Sequence, residues 1–435
     1  MTLFNDVSSR VSFPDQELDI LQIWREKEIF RRSVEERSET RPFVFYEGPP
    51  TANGNPGIHH VLARAFKDLI PRYRTMRGYR VSRKGGWDTH GLPVELEVEK
   101  QLGLSQKKEI ESFGVEEFNR RCRDSVFTYV QEWEKLTERI AYWVDMTEPY
   151  VTYEANYVES CWWIFKRLWD NGLMFRDFRV TPHCPRCQTS LSSHEISLGY
   201  QEDTPDPGIT IRFKLRQNQP SLDAEIRKTL RLDDQVQTSL LAWTTTPWTL
   251  PGSAALAIST DADYVLAQRE DEHIGGERII IARDLLEQIS PDSEVLTTFK
   301  GVELLDIEYH ELWAAENWAD ANPYMFVNGA ATKPESKDQL PTRRVVASDE
   351  VTTSEGTGVL HVAPAFGAAD YEIGRMNNLM FLQPVAPDGT AIGGPGDGLF
   401  AKDADKAVFR DLRDRGLLFR SEQIRHTLSL IHISE

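Results

Sequence analysis

At 435 residues the chain is too long for one ordinary core, and two or three domains are expected. Apolar residues make up 40% and charged residues 27%, a globular balance, and no apolar run approaches the roughly 18 residues of a membrane span. A formal charge of −18 argues against a generic nucleic-acid binder but leaves room for local basic patches. The first residues, Met1 to Val7, lack a basic start and an apolar core, so no secretory signal is expected. Four cysteines, two of them in Cys-x-x-Cys spacing, suit a reducing cytosol, and a cytoplasmic protein is the expectation.

Residues 14–38 predict one amphipathic helix with Leu18, Leu21, Trp24 and Phe30 on one face. Phe43–Tyr46 reads as a short strand. A second helix follows from the spacing of Val61, Leu62, Ala65, Phe66, Leu69, Ile70 and Tyr73, ending at Gly78. Between them, the run from Glu47 to His60 holds three Gly, three Pro and the adjacent His59 and His60. Small residues let a ligand approach the backbone, and the helix N-terminus behind them attracts anions. Two imidazoles there can donate to a phosphate. This outlines a nucleotide site, although a turn with surface histidines accounts for the run equally well. A further Gly-rich turn spans Gly85 to Glu95, after a strand expected at Arg80–Arg83. A strand–helix–strand unit brings both turns to one sheet edge, where Asp88 is placed to hold a cationic group such as an α-ammonium.

Arg64, Lys67, Arg72, Arg74, Arg77, Arg80, Arg83 and Lys84 form the densest basic segment, which suits a solvated helix face or an RNA contact. Residues 115–141 read as helical. Tyr153–Phe175 reads as an aromatic-rich helix pair whose Trp162, Trp163, Phe165 and Trp169 are expected in a core. Cys184 and Cys187 form half of a zinc-ribbon spacing, with His183 and His194 as weaker substitutes. Cys122 and Cys161 fall in predicted helices and read as small buried residues. From about residue 203 short β-type runs follow, at 208–214, 264–267, 278–282 and 343–347, ending near Gly398. Within them Thr244, Thr245, Thr246 and Thr249 place four hydroxyls in six residues, which on composition alone is an ordinary Thr-rich hairpin. Glu355–Asp370 is another Gly-rich run, with His361 and Asp370 expected at loop ends. Leu399–Gly416 reads as a helix. Residues 428–435 resemble translated sequencing adaptor more than protein.

The runs Gly48-Pro-Pro-Thr-Ala-Asn-Gly54 and Gly86-Trp-Asp-Thr-His-Gly-Leu-Pro-Val-Glu95 resemble the class I aminoacyl-tRNA synthetases, and among them the isoleucyl branch. The resemblance covers residues 12–426 and implies an α/β fold: the first half of a Rossmann catalytic domain with an inserted β-rich editing domain. The implied organisation is an N-terminal helical extension at 1–41, the Rossmann half with half a zinc ribbon at 42–202, the insert at 203–395, a return to the catalytic body at 396–427 and a non-native tail at 428–435. It implies activation of isoleucine by Mg2+-bound ATP and transfer to tRNA(Ile), by a monomer with no membrane. The lysine-rich second signature of that family is absent, so the chain alone is expected to lack synthetic activity. His90 argues against valyl or leucyl specificity. A free-standing editing hydrolase fits poorly with the Rossmann half, and an RNA-binding zinc module with the negative charge.

The resemblance also implies roles. Gly48, Pro49 and Asp88 bind the amino acid, Asp88 through its α-ammonium. The family's first signature, His-x-Gly-His, matches Gly57-Ile-His-His60 with its first His and Gly exchanged. His60 then serves the ATP phosphates and the transition state, His59 substitutes for the missing imidazole, and Gly57 leaves room for adenine. In the insert, Thr244, Thr245, Thr246 and Thr249 bind the terminal ribose and ester and position a water, Trp248 and His361 shape the pocket, and Asp370 holds the ammonium of a misattached valine. One methylene is worth only about 1–3 kcal/mol in an apolar pocket, a figure drawn from isoleucyl enzymes themselves, so a second sieve is required. Cys184 and Cys187 are the implied ligands of a structural zinc completed by residues of the longer protein.

Overall fold

Residues 10–193, 200–217, 219–232, 235–271, 275–313 and 323–429 are described in a computed structural model of the chain. Contact density divides the chain into two units, Met1–Phe175 and Arg176–Glu435.

The first unit begins with two helices, α1 (Phe13–Glu26) and α2 (Ile29–Glu35), where the spacing predicts one. Glu28 breaks them with a left-handed φ of 50°. The turn lets Trp24 and Phe30 both meet Trp143, at ring distances of 5.1 and 5.7 Å, while Leu18 stays exposed. Strands β1 (Pro42–Tyr46), β2 (Arg80–Trp87) and β3 (Asp145–Val151) form a parallel sheet in that order. Parallel pairing needs crossovers. The first is α3 (Ile58–Met76); the second is the series α4 (Leu92–Leu102), α5 (Lys107–Phe113), α6 (Val115–Val126) and α7 (Val130–Arg139). The helical stretch expected at 115–141 is thus two helices, and the break lets Val126 and Trp133 both be fully buried. β2 is also longer than expected. Gly85 and Gly86 continue it because side chains there would strike Met146 and the Tyr150 ring of β3.

Two expectations about faces are overturned. Helix α8 (Ala155–Asp170) is one helix rather than a pair, and Trp162, Trp163, Phe165 and Trp169 are 54–70% exposed instead of core. No described element covers that face. Helix α3 buries its polar side, Arg64, Asp68 and Thr75, and exposes Leu62, Phe66, Leu69 and Ile70. Part of the basic segment therefore lies inside. Arg64 donates to Thr137 Oγ1 at 2.7 Å; Arg83 reaches Asp68 at 3.3 Å, Thr75 Oγ1 at 2.9 Å and the Trp143 carbonyl at 3.2 Å. Neither residue is solvated or free for RNA. Burial holds the Arg83 guanidinium down to about 10.

The second unit opens with a small hairpin, β4 (His183–Cys184) and β5 (Thr189–Ser190). Its main strands are β6 (Tyr200–Lys214), β7 (Thr238–Thr244), β8 (Ala255–Ile258), β9 (Asp263–Asp271), β10 (Gly275–Ala282), β11 (Glu294–Lys300), β14 (Val345–Ala347), β15 (Val359–Val362) and β17 (Leu418–Ser429). They form one mixed sheet in the order β11-β9-β10-β7-β15-β8-β14, with β6 against β7 and β17 against β6. All four β-type runs of the sequence fall on these strands. Ile211, Phe213, Leu240, Leu256, Leu266 and Ile280 are fully buried in its core. A second small sheet joins β12 (Tyr324–Val327), β13 (Ala330–Thr332) and β16 (Met380–Phe381). Two helices matter for the site, α9 (Ala368–Met376) and α10 (Ala401–Asp414), the latter where 399–416 predicts one. The chain after α10 rejoins β6, the strand that opens the sheet. Of residues 428–435, only 428 and 429 are described, at the end of β17. His194 lies outside the described residues.

Candidate functional site

In the first unit the Gly/Pro run leaves β1 at its carboxyl end and enters α3 at Gly57, the N-cap residue. The Gly57 N–H donates to His60 Nδ1 at 2.9 Å. His60 Nδ1 is therefore an acceptor, its proton sits on Nε2, and Nε2–H is free to donate. Burial, then His59 and Arg64, hold the His60 pKa below its ordinary value, so the ring is a neutral donor. The exposed His59 ring lies 3.8 Å from that of His60. A side-chain carbon at Gly57 would lie 2.9 Å from the His59 ring. The second turn closes on the first: Asp88 N–H donates to the Pro50 carbonyl at 3.0 Å, and Thr51 bridges Asp88. The Asp88 backbone is thus held against Pro50 and Thr51, the residues that follow Gly48 and Pro49. His90 is exposed and shares a 2.8 Å hydrogen bond with Thr152 Oγ1.

Several residues behind this loop were not singled out from the sequence. The Glu47 carboxylate is 3% exposed and accepts from Lys67 Nζ at 2.8 Å and from the Tyr142 hydroxyl. Lys67 also donates to the Gly48 carbonyl at 3.0 Å, tying the buried acid to the loop. Trp133, on α7, donates Nε1–H to the Gly54 carbonyl at 2.8 Å and sets its ring edge-on to His60 at 4.6 Å. Arg64 lies over the same indole at 4.9 Å. Trp133 is separated from Gly54 by 79 residues, and nothing local in the sequence marks such a pairing. A lone Glu opening a Gly/Pro run is the only signal for Glu47.

In the second unit, β7 and β15 are parallel neighbours, with Leu360 opposite Trp243. Thr244–Thr249 leaves one strand and 363–370 leaves the other at the same carboxyl ends, the edge where open sheets bind ligands. The threonines do not form a hairpin. Thr244 ends β7, and Pro247–Gly252 is a 3₁₀ turn. Their hydroxyls form a chain, Thr244 to Thr246 at 3.3 Å and Thr246 to Thr249 at 3.2 Å. Trp248 meets Phe366 edge to face at 5.1 Å, which joins the two segments. Thr245 is half-buried beside them.

His361 and Asp370 are not at loop ends. His361 is the third residue of β15, 7% exposed, and Asp370 lies in the first turn of α9. The alternation Val359-Leu-His-Val362 extends the strand through the histidine. Its Nε2 has no hydrogen-bond partner, and burial pushes its pKa down to about 4. Asp370 Oδ2 accepts from the Ala363 N–H at 2.9 Å. Burial raises the Asp370 pKa against that bond, which leaves the carboxylate short of a counter-charge.

Cys184 and Cys187 lie together in the β4–β5 turn, where Cys187 N–H donates to Cys184 Sγ at 3.4 Å. His183 Nε2 is engaged by the Pro387 carbonyl at 2.7 Å. Among the described residues no third His, Cys, Asp or Glu joins a group that would hold a metal. Two thiols are half of the tetrahedral set a structural zinc requires, so these residues alone do not fit the ion. Cys122 and Cys161 lie in α6 and α8, half-buried and outside any disulfide. No helix among the described residues is long and apolar enough to cross a membrane.

Comparison with known proteins gives consistent results. The chain is 45% identical over 429 residues to an isoleucine–tRNA ligase of Dehalococcoides mccartyi, covering 98% of this chain and 41% of that one. It is 46% identical over 416 residues to the isoleucine–tRNA ligase of Thermus thermophilus, covering 96% and 36%. A third relative, from Clostridium kluyveri, is 42% identical over 98% of this chain and 37% of its own. The chain thus spans about two fifths of the length of these curated relatives. A solved structure described as the crystal structure of GlLeuRS-CP1 matches at a TM-score of 0.33 and 12% identity, over 48% of this chain and 96% of that one. The sequence model described as tRNA synthetases class I (I, L, M and V) matches residues 19–372, and the chain belongs to that family.

Proposed function

We propose that this chain is the N-terminal portion of an isoleucine–tRNA ligase, holding one half of the activation site and a hydrolytic site that removes valine from mischarged tRNA(Ile). The observation that carries the reading is the 45% identity over 429 residues to an isoleucine–tRNA ligase, a match that covers 98% of the chain. The parallel β1–β2–β3 sheet, with its ligand loop at the carboxyl edge, supports a Rossmann half. The exposed apolar side of α3, the aromatic side of α8 and the outer edge of β1 support a second half that covers them.

In the activation site, His60 Nε2–H donates to the ATP phosphates as charge builds there, and His59 stands beside it. Asp88 holds the isoleucine ammonium near Gly48 and Pro49. In the hydrolytic site, the hydroxyls of Thr244–Thr249 position the ester and a water, and Asp370 holds the valyl ammonium. A cation there repairs the deficit of a carboxylate raised by burial. Cys184 and Cys187 supply two of the four zinc ligands, the others coming from outside the described residues. The working protein is cytoplasmic.

The test is deacylation of Val-tRNA(Ile) by this chain, with and without Asp370→Ala. The change removes a charged hydrogen bond worth about 1.5–3 kcal/mol, so the rate is expected to fall roughly ten- to a hundredfold. A folded Asp370→Ala chain that deacylates at the parental rate refutes the assignment of Asp370.

A further inference from the structure

The Thr244–Thr249 segment is held from outside by a residue that no proposed chemistry uses. At the start of the 3₁₀ turn Pro247–Gly252, the Trp248 N–H has no carbonyl within the turn to bind, because the first donors of any helical turn are left over. It donates instead to Asp405 Oδ1 at 2.9 Å, on helix α10, 157 residues further along the chain. Asp405 is 7% exposed. Leaving a carboxylate so deep in an interior is costly unless its oxygens are used. One oxygen takes the Trp248 N–H; the other, Oδ2, has no hydrogen-bond partner and is compensated only by the charge of Lys402, whose Nζ lies 3.2 Å away, one turn earlier on α10. Lys402 also reaches Asp206 of β6 at 2.6 Å. The three residues therefore tie α10 and β6 to the loop that follows β7.

What the tie holds is the Trp248–Phe366 contact, which joins the two segments of the candidate site. The Trp248 ring stands edge to face on Phe366 at 5.1 Å, and Phe366 immediately precedes the turn that leads into Asp370. The packing is close: a side-chain carbon at Gly252 would lie 2.9 Å from the Phe366 ring. A shift of the Trp248 backbone would move its neighbour Thr249, the end of the hydroxyl chain, together with the Trp248–Phe366 contact.

We propose that Asp405 is a positioning residue of the hydrolytic pocket, fixing the Trp248 backbone so that the Trp248–Phe366 wall sets the size of acyl group admitted. The proposal rests on the hydrolytic reading of this unit. It assigns α10, which follows the insert in sequence, to the pocket's frame.

The test uses the full chain and two substrates, Val-tRNA(Ile) and Ile-tRNA(Ile), with Asp405→Ala and Asp405→Asn. Asparagine keeps an acceptor oxygen for the Trp248 N–H, and its NH2 replaces the oxygen that faces Lys402. The expected result is a Val-tRNA deacylation rate at least tenfold lower in the Ala variant and within about threefold of the parent in the Asn variant. The ratio of isoleucyl to valyl hydrolysis rises in the Ala variant, because a loosened wall excludes the larger group less well. A merely structural role would lower both substrates together, in step with the melting temperature. If Asp405→Ala does not fold, Asp405→Glu carries the test, since it keeps the charge but displaces the oxygen. A folded Ala or Glu variant with the parental rate and ratio overturns the proposal. A parental chain that leaves Val-tRNA intact overturns the hydrolytic reading itself, and this proposal with it.

Discussion

Lowering the pH from 7 to 4.5 should destabilise the second unit through one side chain, His361. The imidazole lies in β15, opposite Leu256 of β8, with Nε2 unpartnered and no charged group contributing to its shift. Burial alone moves its pKa from 6.5 to about 4. In the unfolded chain the ring takes up a proton as pH falls through about 6.5, whereas the folded ring stays neutral until about 4. Across that window the unfolded state binds more protons, so stability falls as the pH falls. With the two pKa values given, the loss at pH 4.5 is about 2.5 kcal/mol, a sizeable share of a typical domain stability of about 5–15 kcal/mol. The assay is urea unfolding of the chain at both pH values, beside His361→Leu. Asp370 and Asp405, whose pKa values burial raises, contribute with the opposite sign but are common to both proteins. The variant should therefore lose about 2.5 kcal/mol less than the parent between the two pH values. Equal losses in parent and variant would refute the claim that His361 is buried neutral.

Trp133→Phe keeps an aromatic ring beside His60 but removes the donor to the Gly54 carbonyl; it should cost about 1–2 kcal/mol of stability in urea unfolding. In the longer protein the same change should lower the turnover of isoleucine-dependent ATP–pyrophosphate exchange more than it weakens isoleucine binding, since it loosens the loop that meets the phosphates. Phe66→Glu with Leu69→Lys, on the exposed side of α3, should leave the stability of this chain within about 0.5 kcal/mol and reduce its self-association by light scattering. In the longer protein the pair should be strongly destabilising, because the charges would then be buried.

The sequence was most legible where the signal lies in contiguous residues. Gly, Pro and His in one run mark the turn between β1 and α3, and the Thr run falls at the end of β7 and in the turn after it. Strand and helix types also came through, because periodicity of 2 or 3.6 is local. What failed was anything set by partners far along the chain. Arg64 and Arg83 look like solvated charges until Thr137, Asp68 and Trp143 close around them. Gly85 and Gly86 look like a turn until β3 places Met146 and Tyr150 against them. Trp133 and Asp405 carry no local mark, since each acts on a loop 79 or 157 residues away.

The misread faces of α3 and α8 have a different origin. Their apolar spacing predicts helices correctly, and it also predicts that those sides are covered. In this chain Phe66 is 68% exposed and Trp162 is 70% exposed, while α3 turns Arg64 and Asp68 inward. A helix with both sides built for packing belongs between two layers, and a parallel sheet is stable with both faces covered. Strand β1 agrees: among the described residues its outer edge has no partner, and Val44 and Tyr46 are 63% and 61% exposed. An open apolar edge is a liability that folded proteins avoid. The periodicity thus specifies contacts that no described residue supplies, and on the proposed reading of the chain as part of a longer ligase these faces are where the second half would pack.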